Sequence, residues 1–212
     1  MKKFILFAAV FTIPIVMFSQ KKRVMLFEEY TSGTVLMYNK TKIQTPLNYD
    51  ASNKVMMFIH GEDEMILTNN EKIDTVYIGS HKFIYAKDLY LECARMKHGN
   101  IYIDWSLKDV IRGSKGVYGQ VTQSRVESIN KRYWEQGKDL NQSSDVHALS
   151  NENKYQFLLN GEIVICKSKK DLLNLFNDKK EDINNFINKH NLNFKDASNA
   201  LTIIDYCLSL NK

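Results

Sequence analysis

The sequence predicts an α+β fold, in which an N-terminal antiparallel β meander precedes a β-hairpin and about three short C-terminal α-helices. From residue 24 to residue 111, β-prone runs alternate with turn residues roughly every 8 to 12 residues, which is typical of a sandwich or small barrel. Asn160-Gly161 separates two later β-prone runs and is the strongest short-range hairpin signal. After residue 168, apolar residues recur at helical spacing.

Two hairpins can be placed in the predicted β domain, residues 20–111. Asn39-Lys40 joins two β-prone runs, and asparagine tolerates the left-handed conformation that a tight turn needs. The polar segment 60–64, which contains Gly61, joins two further runs and predicts a second hairpin. The β-prone runs of this domain are residues 35–38, 41–44, 55–59, 65–68, 75–78, 82–85, 89–93 and 101–105.

Residues 112–153 are richer in Gly, Ser, Gln, Asn and charged residues than the flanking sequence. A structureless loop of about 40 residues is uncommon inside a compact domain, so this segment is a linker, a mobile flap or a set of irregular edge strands. Aromatic and basic side chains lie together in it, and they form the predicted binding surface for a glycan or a protein partner. The alternative is that the aromatic rings pack back onto the β core. The predicted binding residues are Tyr118, Lys131, Arg132, Tyr133 and Trp134.

The predicted C-terminal part, residues 154–212, combines the Asn160-Gly161 hairpin with the helices. Ser168 and Asp171 resemble a capping box, although aspartate replaces the usual Glu or Gln. Three amphipathic helices of this length cannot stand alone, so we expect them to pack on each other and on the hairpin. The apolar positions of the three helices lie within residues 172–176, 183–187 and 201–208.

The first 19 residues predict a cleavable signal peptide. Lys2 and Lys3 precede an uncharged apolar run at residues 4–18, and Ser19 provides a small residue for cleavage before Gln20. The alternative is an uncleaved anchor, but the run is shorter than the roughly 20 residues that span a bilayer. We therefore expect an exported protein that is periplasmic, extracellular or outer-membrane associated, with no transmembrane segment after cleavage.

The charge and the cysteines narrow the class of function. The formal net charge is +5, and removal of the leader lowers it by two. Lysines and acids are interspersed rather than gathered on one face, which argues against a nucleic-acid partner. Cys93, Cys166 and Cys207 allow one disulfide, for which Cys166 and Cys207 are the favoured pair, or three separate buried thiols.

No catalytic, metal or cofactor motif is present in the sequence. The five histidines show no H-E-x-x-H spacing, and His60 and Glu62 fall where a solvated hairpin turn is expected. There is no G-x-S-x-G elbow, no C-x-x-C pair and no glycine-rich phosphate loop. We therefore predict no catalytic residue, no metal site and no cofactor.

A further similarity is carried by short segments across most of the chain after residue 20. They are residues 33–36, 46–50, 74–79, 82–84, 172–176 and 186–194. Together these segments resemble a family of uncharacterised secreted proteins of Bacteroidota-type bacteria. The resemblance implies export and a β-rich fold, and it implies no activity and no site.

Two functions from different classes are consistent with the sequence. The first is a non-enzymatic module of the cell envelope that binds an envelope protein or a glycan. The second is a hydrolase that acts on envelope polymers, either glycan or peptide. An enzyme requires a concave site with converging titratable groups, whereas a binding module does not. The oligomeric state is left open.

Overall fold

The computed structural model describes residues 23–115, 121–122 and 145–211. In this part of the chain, thirteen strands form two antiparallel sheets, and three helices follow them. The predicted signal peptide and the predicted binding residues lie outside the described residues. Those binding residues are Tyr118, Lys131, Arg132, Tyr133 and Trp134.

The larger sheet has ten strands in the order β13-β12-β8-β7-β6-β5-β1-β2-β3-β4. Its strands are β1 (Thr31–Met37), β2 (Lys42–Asp50), β3 (Val55–His60), β4 (Asp63–Ile66), β5 (Ile73–Ile78), β6 (His81–Ala86), β7 (Leu89–Arg95), β8 (Asn100–Asp104), β12 (Lys154–Leu159) and β13 (Glu162–Cys166). The smaller sheet has the order β10-β9-β11, from β9 (Leu107–Lys115), β10 (Val121–Thr122) and β11 (Asp145–Asn151). The interval 112–153 therefore contains strand residues at both of its ends.

The predicted fold class is confirmed, but the ten strands do not follow one another in chain order. Strands β1 to β4 form one meander, and β5 then pairs with β1 instead of β4. A 3₁₀ turn at Asn70–Lys72, preceded by Asn69 at φ 56°, stands between β4 and β5. A second meander continues from β5 to β8, and β8 pairs with β12 of the C-terminal hairpin.

The sheet curls strongly around a first core. β3 contacts β7 although four strands lie between them in the order of the sheet. In a flat sheet, two strands that far apart could not touch each other. The rings of Tyr49 and Phe83 are 5.6 Å apart, and the Leu107 amide donates to the Ala51 carbonyl at 3.2 Å. The buried residues of this core are Val35, Leu47, Tyr49, Ala51, Met56, Ile73, Val76, Ile78, Phe83 and Tyr90.

Three helices build a second core on the inner face of β8, β12 and β13. They are α1 (Lys169–Leu175), α2 (Lys180–Lys189) and α3 (Ala197–Ser209), close to the predicted ranges. Ser168 accepts a hydrogen bond from the Asp171 amide, as predicted, while Asp171 accepts from the Lys167 amide one residue before the cap. Ile101, Phe157, Leu172, Ile183, Ile203 and Ile204 are among the buried residues of this core.

Two hairpins of the structure differ in detail from the hairpins that the sequence predicts. At Asn39-Lys40 the left-handed residue is Lys40, at φ 70°, and the Asn39 side chain instead accepts from the Thr41 amide. At the second hairpin, His60 pairs with Asp63, so strand β4 begins two residues earlier than expected. Gly61 adopts φ 64°, which permits this tighter turn.

All three cysteines are free thiols. Cys166 and Cys207 are fully buried in the helical core, and Cys93 is half-buried. Burial raises the pKa of Cys166 to about 11 and that of Cys207 to about 12. Both thiols are thus protonated and unreactive at neutral pH.

Among the described helices, none combines the length and the apolar character needed to cross a membrane.

Candidate functional site

The C-terminal hairpin places strand β13 at one edge of the ten-stranded sheet. Asn160 and Gly161 connect β12 to β13 with φ angles of 53° and 85°. Positive values at both positions define a type I′ turn, which matches the twist of a two-residue hairpin. The Asn-Gly dipeptide therefore fixes the register of the edge strand.

That register decides which backbone groups of β13 remain unpaired. In a two-residue hairpin the residues that flank the turn exchange both of their hydrogen bonds, and every second pair does the same. Leu159 pairs with Glu162, so Val164 and Cys166 also bond to β12. The N–H and C=O groups of Ile163 and Ile165 consequently point to the edge of the sheet, where no strand of the described residues pairs with β13.

The outer face of this hairpin carries three large exposed apolar residues, together with Gln156, which lies opposite Ile165. Leu158 is 62% exposed, Ile163 opposite it is 72% exposed, and Ile165 is 54% exposed. Val164 and Cys166 alternate with them and face the helices. We call Leu158, Ile163 and Ile165, with the open backbone edge of β13, the β13 edge.

Beyond Glu162, which is charged and exposed, the β13 edge lacks the features that usually protect an edge strand. Residues Glu162–Cys166 contain no proline, no lysine and no bulge. At the opposite edge, β4 carries Asp63 and Glu64, and Glu64 is ion-paired with Arg23 at 2.9 Å. The two edges of the sheet therefore differ only in part: β4 carries two acidic residues beside the exposed Met65 and Ile66, whereas β13 carries one acidic residue, Glu162, beside Ile163 and Ile165.

A second arrangement consists of two histidine–carboxylate pairs. His81 Nδ1 lies 2.7 Å from Glu92 Oε1, and the Trp105 indole N–H donates to Glu92 Oε2 at 2.6 Å. His98 Nδ1 lies 3.0 Å from Asp205 Oδ2, and the His98 amide donates to Asp205 Oδ1 at 2.8 Å. His81, Glu92 and His98 border an open cavity of about 940 Å³.

Each carboxylate fixes the orientation and tautomer of its imidazole, as is required of a histidine that acts as a general base. In the described residues no Ser or Thr hydroxyl and no Cys thiol is hydrogen-bonded to either ring. The described part of the chain also holds no group of three or more residues that could bind a metal ion. The pairs can thus activate water, but they do not form a triad with a side-chain nucleophile.

The two arrangements differ in how far the sequence could reveal them. Asn160-Gly161 followed by alternating isoleucines was visible in the sequence, although its exposed face was not predicted. The histidine pairs gave no local signal, because His98 and Asp205 are 107 residues apart. His60 and Glu62, considered for metal binding, are exposed at the β3–β4 turn.

Comparison of the chain with protein-family models, with curated proteins and with solved structures gives no match.

Proposed function

We propose that this protein is an exported, non-enzymatic module of the cell envelope that binds an extended segment of a protein partner at the β13 edge. The observation that carries the proposal is the edge of β13, where Ile163 and Ile165 have exposed apolar side chains and backbone groups that no strand of the described residues engages. Export is supported by the predicted leader, residues 1–19. The partner adds a strand to the sheet, with backbone hydrogen bonds providing affinity and alternate side chains providing specificity.

The size of the β13 edge favours a single strand over a second folded copy of the chain. A stable interface between folded proteins involves roughly 20 to 30 residues on each side. Only Leu158, Ile163 and Ile165 are large exposed apolar residues here. An added strand needs less surface, because the free backbone groups of Ile163 and Ile165 supply much of the contact.

The test is binding of a fluorescein-labelled synthetic nonapeptide of alternating valine and threonine to the chain from residue 20 onward. Ile165→Pro removes an N–H that points to the open edge and leaves the hydrogen bonds to β12 intact. Lost backbone hydrogen bonds and disturbed strand geometry should weaken binding about tenfold, since about 1.4 kcal/mol corresponds to a factor of ten. Fluorescence anisotropy measures the affinity.

Ile66→Pro in β4 is the matched control, because it places proline in the opposite edge strand. It should leave peptide binding unchanged. Equal affinity of the wild type and Ile165→Pro would contradict the proposal, as would absence of binding. A dimer that forms in analytical ultracentrifugation and is lost in Ile165→Pro would instead assign the edge to a second copy.

A second candidate function is hydrolysis of envelope polymers, favoured by the His81–Glu92 and His98–Asp205 pairs at one cavity. It predicts that the protein releases soluble fragments from purified peptidoglycan, measured by chromatography and mass spectrometry. Release should fall at least tenfold in His81→Ala and remain in His60→Ala, the exposed control. If the wild type releases no fragments, this candidate is rejected for that polymer.

A further inference from the structure

A cavity of about 500 Å³ lies at the edge of the first core, where the curl of the sheet brings distant strands together. Residues of β3 and β4 line it on one side, and the β6–β7 turn lines it on the other. The segment that joins β4 to β5 completes the lining. The cavity shares no residue with the β13 edge or with the cavity of the histidine pairs, so it is a third, separate place in the fold.

Two tyrosines form an aromatic wall of this cavity. Tyr90 is 2% exposed and belongs to the first core, and Tyr85 is half-buried and packs against the same core. Their ring centroids are 5.0 Å apart, with the ring planes inclined by 58°. The core therefore holds the wall in place, while part of the Tyr85 side chain remains free to contact a ligand.

The buried hydroxyl of Tyr90 orients the side chain of Asn70, which also lines the cavity. The hydroxyl donates to Asn70 Oδ1 at 2.6 Å, and Asn70 Nδ2 has no hydrogen-bond partner within the described residues. Asn70 is only half-buried, and its Nδ2 stays in contact with solvent, unlike the enclosed hydroxyl of Tyr49. The side-chain amide thus presents an oriented donor that a ligand can reach.

The charged groups around the cavity favour a neutral ligand that is rich in hydroxyl groups. Lys54 is the one cation among the described lining residues, and Asp104 engages its ammonium group. Glu71 and Asp88 are exposed, and no ion pair engages either carboxylate in the described part of the chain. An anion would meet these carboxylates without a free cation, whereas hydroxyl groups can donate to them and accept from Asn70.

We infer that this cavity binds one or two pyranose units of a neutral glycan. The ring of Tyr85 packs against the C–H face of a pyranose, and Asn70 Nδ2 donates to one of its oxygens. The volume of about 500 Å³ falls within the range of small-molecule sites, which combine an apolar wall with a few oriented polar groups. The inference does not depend on the β13 edge.

A printed array of neutral and acidic glycans, probed with the labelled chain from residue 20 onward, tests the inference. At least one neutral glycan should be retained. Isothermal titration calorimetry with that glycan should give an affinity that changes less than about twofold between low and high salt, because an uncharged ligand forms no ion pair for salt to screen.

Two variants localise the site. Tyr85→Ala removes the exposed part of the aromatic wall and should weaken binding about tenfold, whereas Tyr77→Ala, on β5, should leave binding unchanged. Tyr77 is the matched control because it is 39% exposed and does not line the cavity. Asn70→Asp keeps an acceptor for the Tyr90 hydroxyl but removes the donor, so it should also weaken binding about tenfold. Asn174→Asp, exposed on α1, is its control and should have no effect.

The inference is overturned if the array retains no neutral glycan, if high salt abolishes binding, or if Tyr85→Ala and Asn70→Asp both keep wild-type affinity. If either variant lowers the melting temperature, NMR of the wild type decides instead. A shift of the Asn70 side-chain amide signals on addition of the retained glycan supports the site. Unchanged Asn70 signals at saturation overturn it.

Discussion

Asp50 shows how one buried carboxylate shapes a turn. It is fully buried, and its Oδ1 accepts from the Ser52 amide at 3.0 Å, the Ser52 hydroxyl at 2.6 Å and the Asn53 amide at 2.9 Å. The Asn53 side-chain amide donates to Oδ2 at 2.8 Å. Burial acts to raise the pKa of Asp50, but the hydrogen bonds from Ser52 and Asn53 outweigh it, and the pKa lies below its ordinary value of 3.8.

This lowered pKa predicts an acid-dependent stability. The unfolded chain binds the proton more readily, so the contribution of Asp50 is present above about pH 3.8 and is lost as the pH falls through the folded pKa. Asp50→Asn should lower the free energy of unfolding by about 1–3 kcal/mol at pH 7. Urea unfolding should show a smaller difference at pH 3.

The exposed Asp178→Asn is the control for this comparison, and we expect almost no effect from it at either pH. If Asp50→Asn lowered the free energy of unfolding equally at pH 3 and at pH 7, the ionised carboxylate of Asp50 would not be the source of the stabilisation.

At the scale of elements, β1 is the strand on which the two meanders meet. It pairs with β2 on one side and with β5 on the other. Gly33 is buried in this strand, and a Cβ atom there would lie 2.5 Å from the Tyr77 carbonyl oxygen and 2.6 Å from Leu47 Cδ1. The glycine is therefore required for space, because any side chain would push β5 and β2 away.

Gly33→Ala should lower the free energy of unfolding by about 1–3 kcal/mol through overpacking. Thermal and urea unfolding measure the change. Gly99→Ala is the matched control, because a Cβ atom at residue 99 would lie 3.3 Å from the flexible end of the Leu208 side chain. This variant should lose less free energy of unfolding than Gly33→Ala. Equal losses of unfolding free energy in the two variants would show that the Tyr77 carbonyl does not exclude a side chain at residue 33.

At the scale of the whole molecule, the two cores are connected. Trp105 packs against both cores, and its indole N–H is held by Glu92. Lys54, in the turn before β3, forms an ion pair with the buried Asp104 at the end of β8. These contacts join the first meander to the strands that carry the helices, so the curled sheet and the helical core stabilise each other.

Local sequence determined the elements whose signals are short-range. The Asn160-Gly161 hairpin and the three helices follow from turn chemistry and from apolar spacing within one segment. The predicted α+β class, with a β meander before the helices, was obtained for the same reason. The predicted aromatic and basic surface around Trp134 stays a prediction, because it lies outside the described residues.

Only the tertiary structure decided which strands pair and which groups converge. The pairing of β5 with β1, the open edge of β13 and the meeting of His98 with Asp205 join residues far apart in the chain. Alternation of apolar residues in the sequence predicts that a strand has an apolar face, but it does not predict which part of the chain covers that face. The exposed outer face of β13 was therefore visible only once the chain had folded.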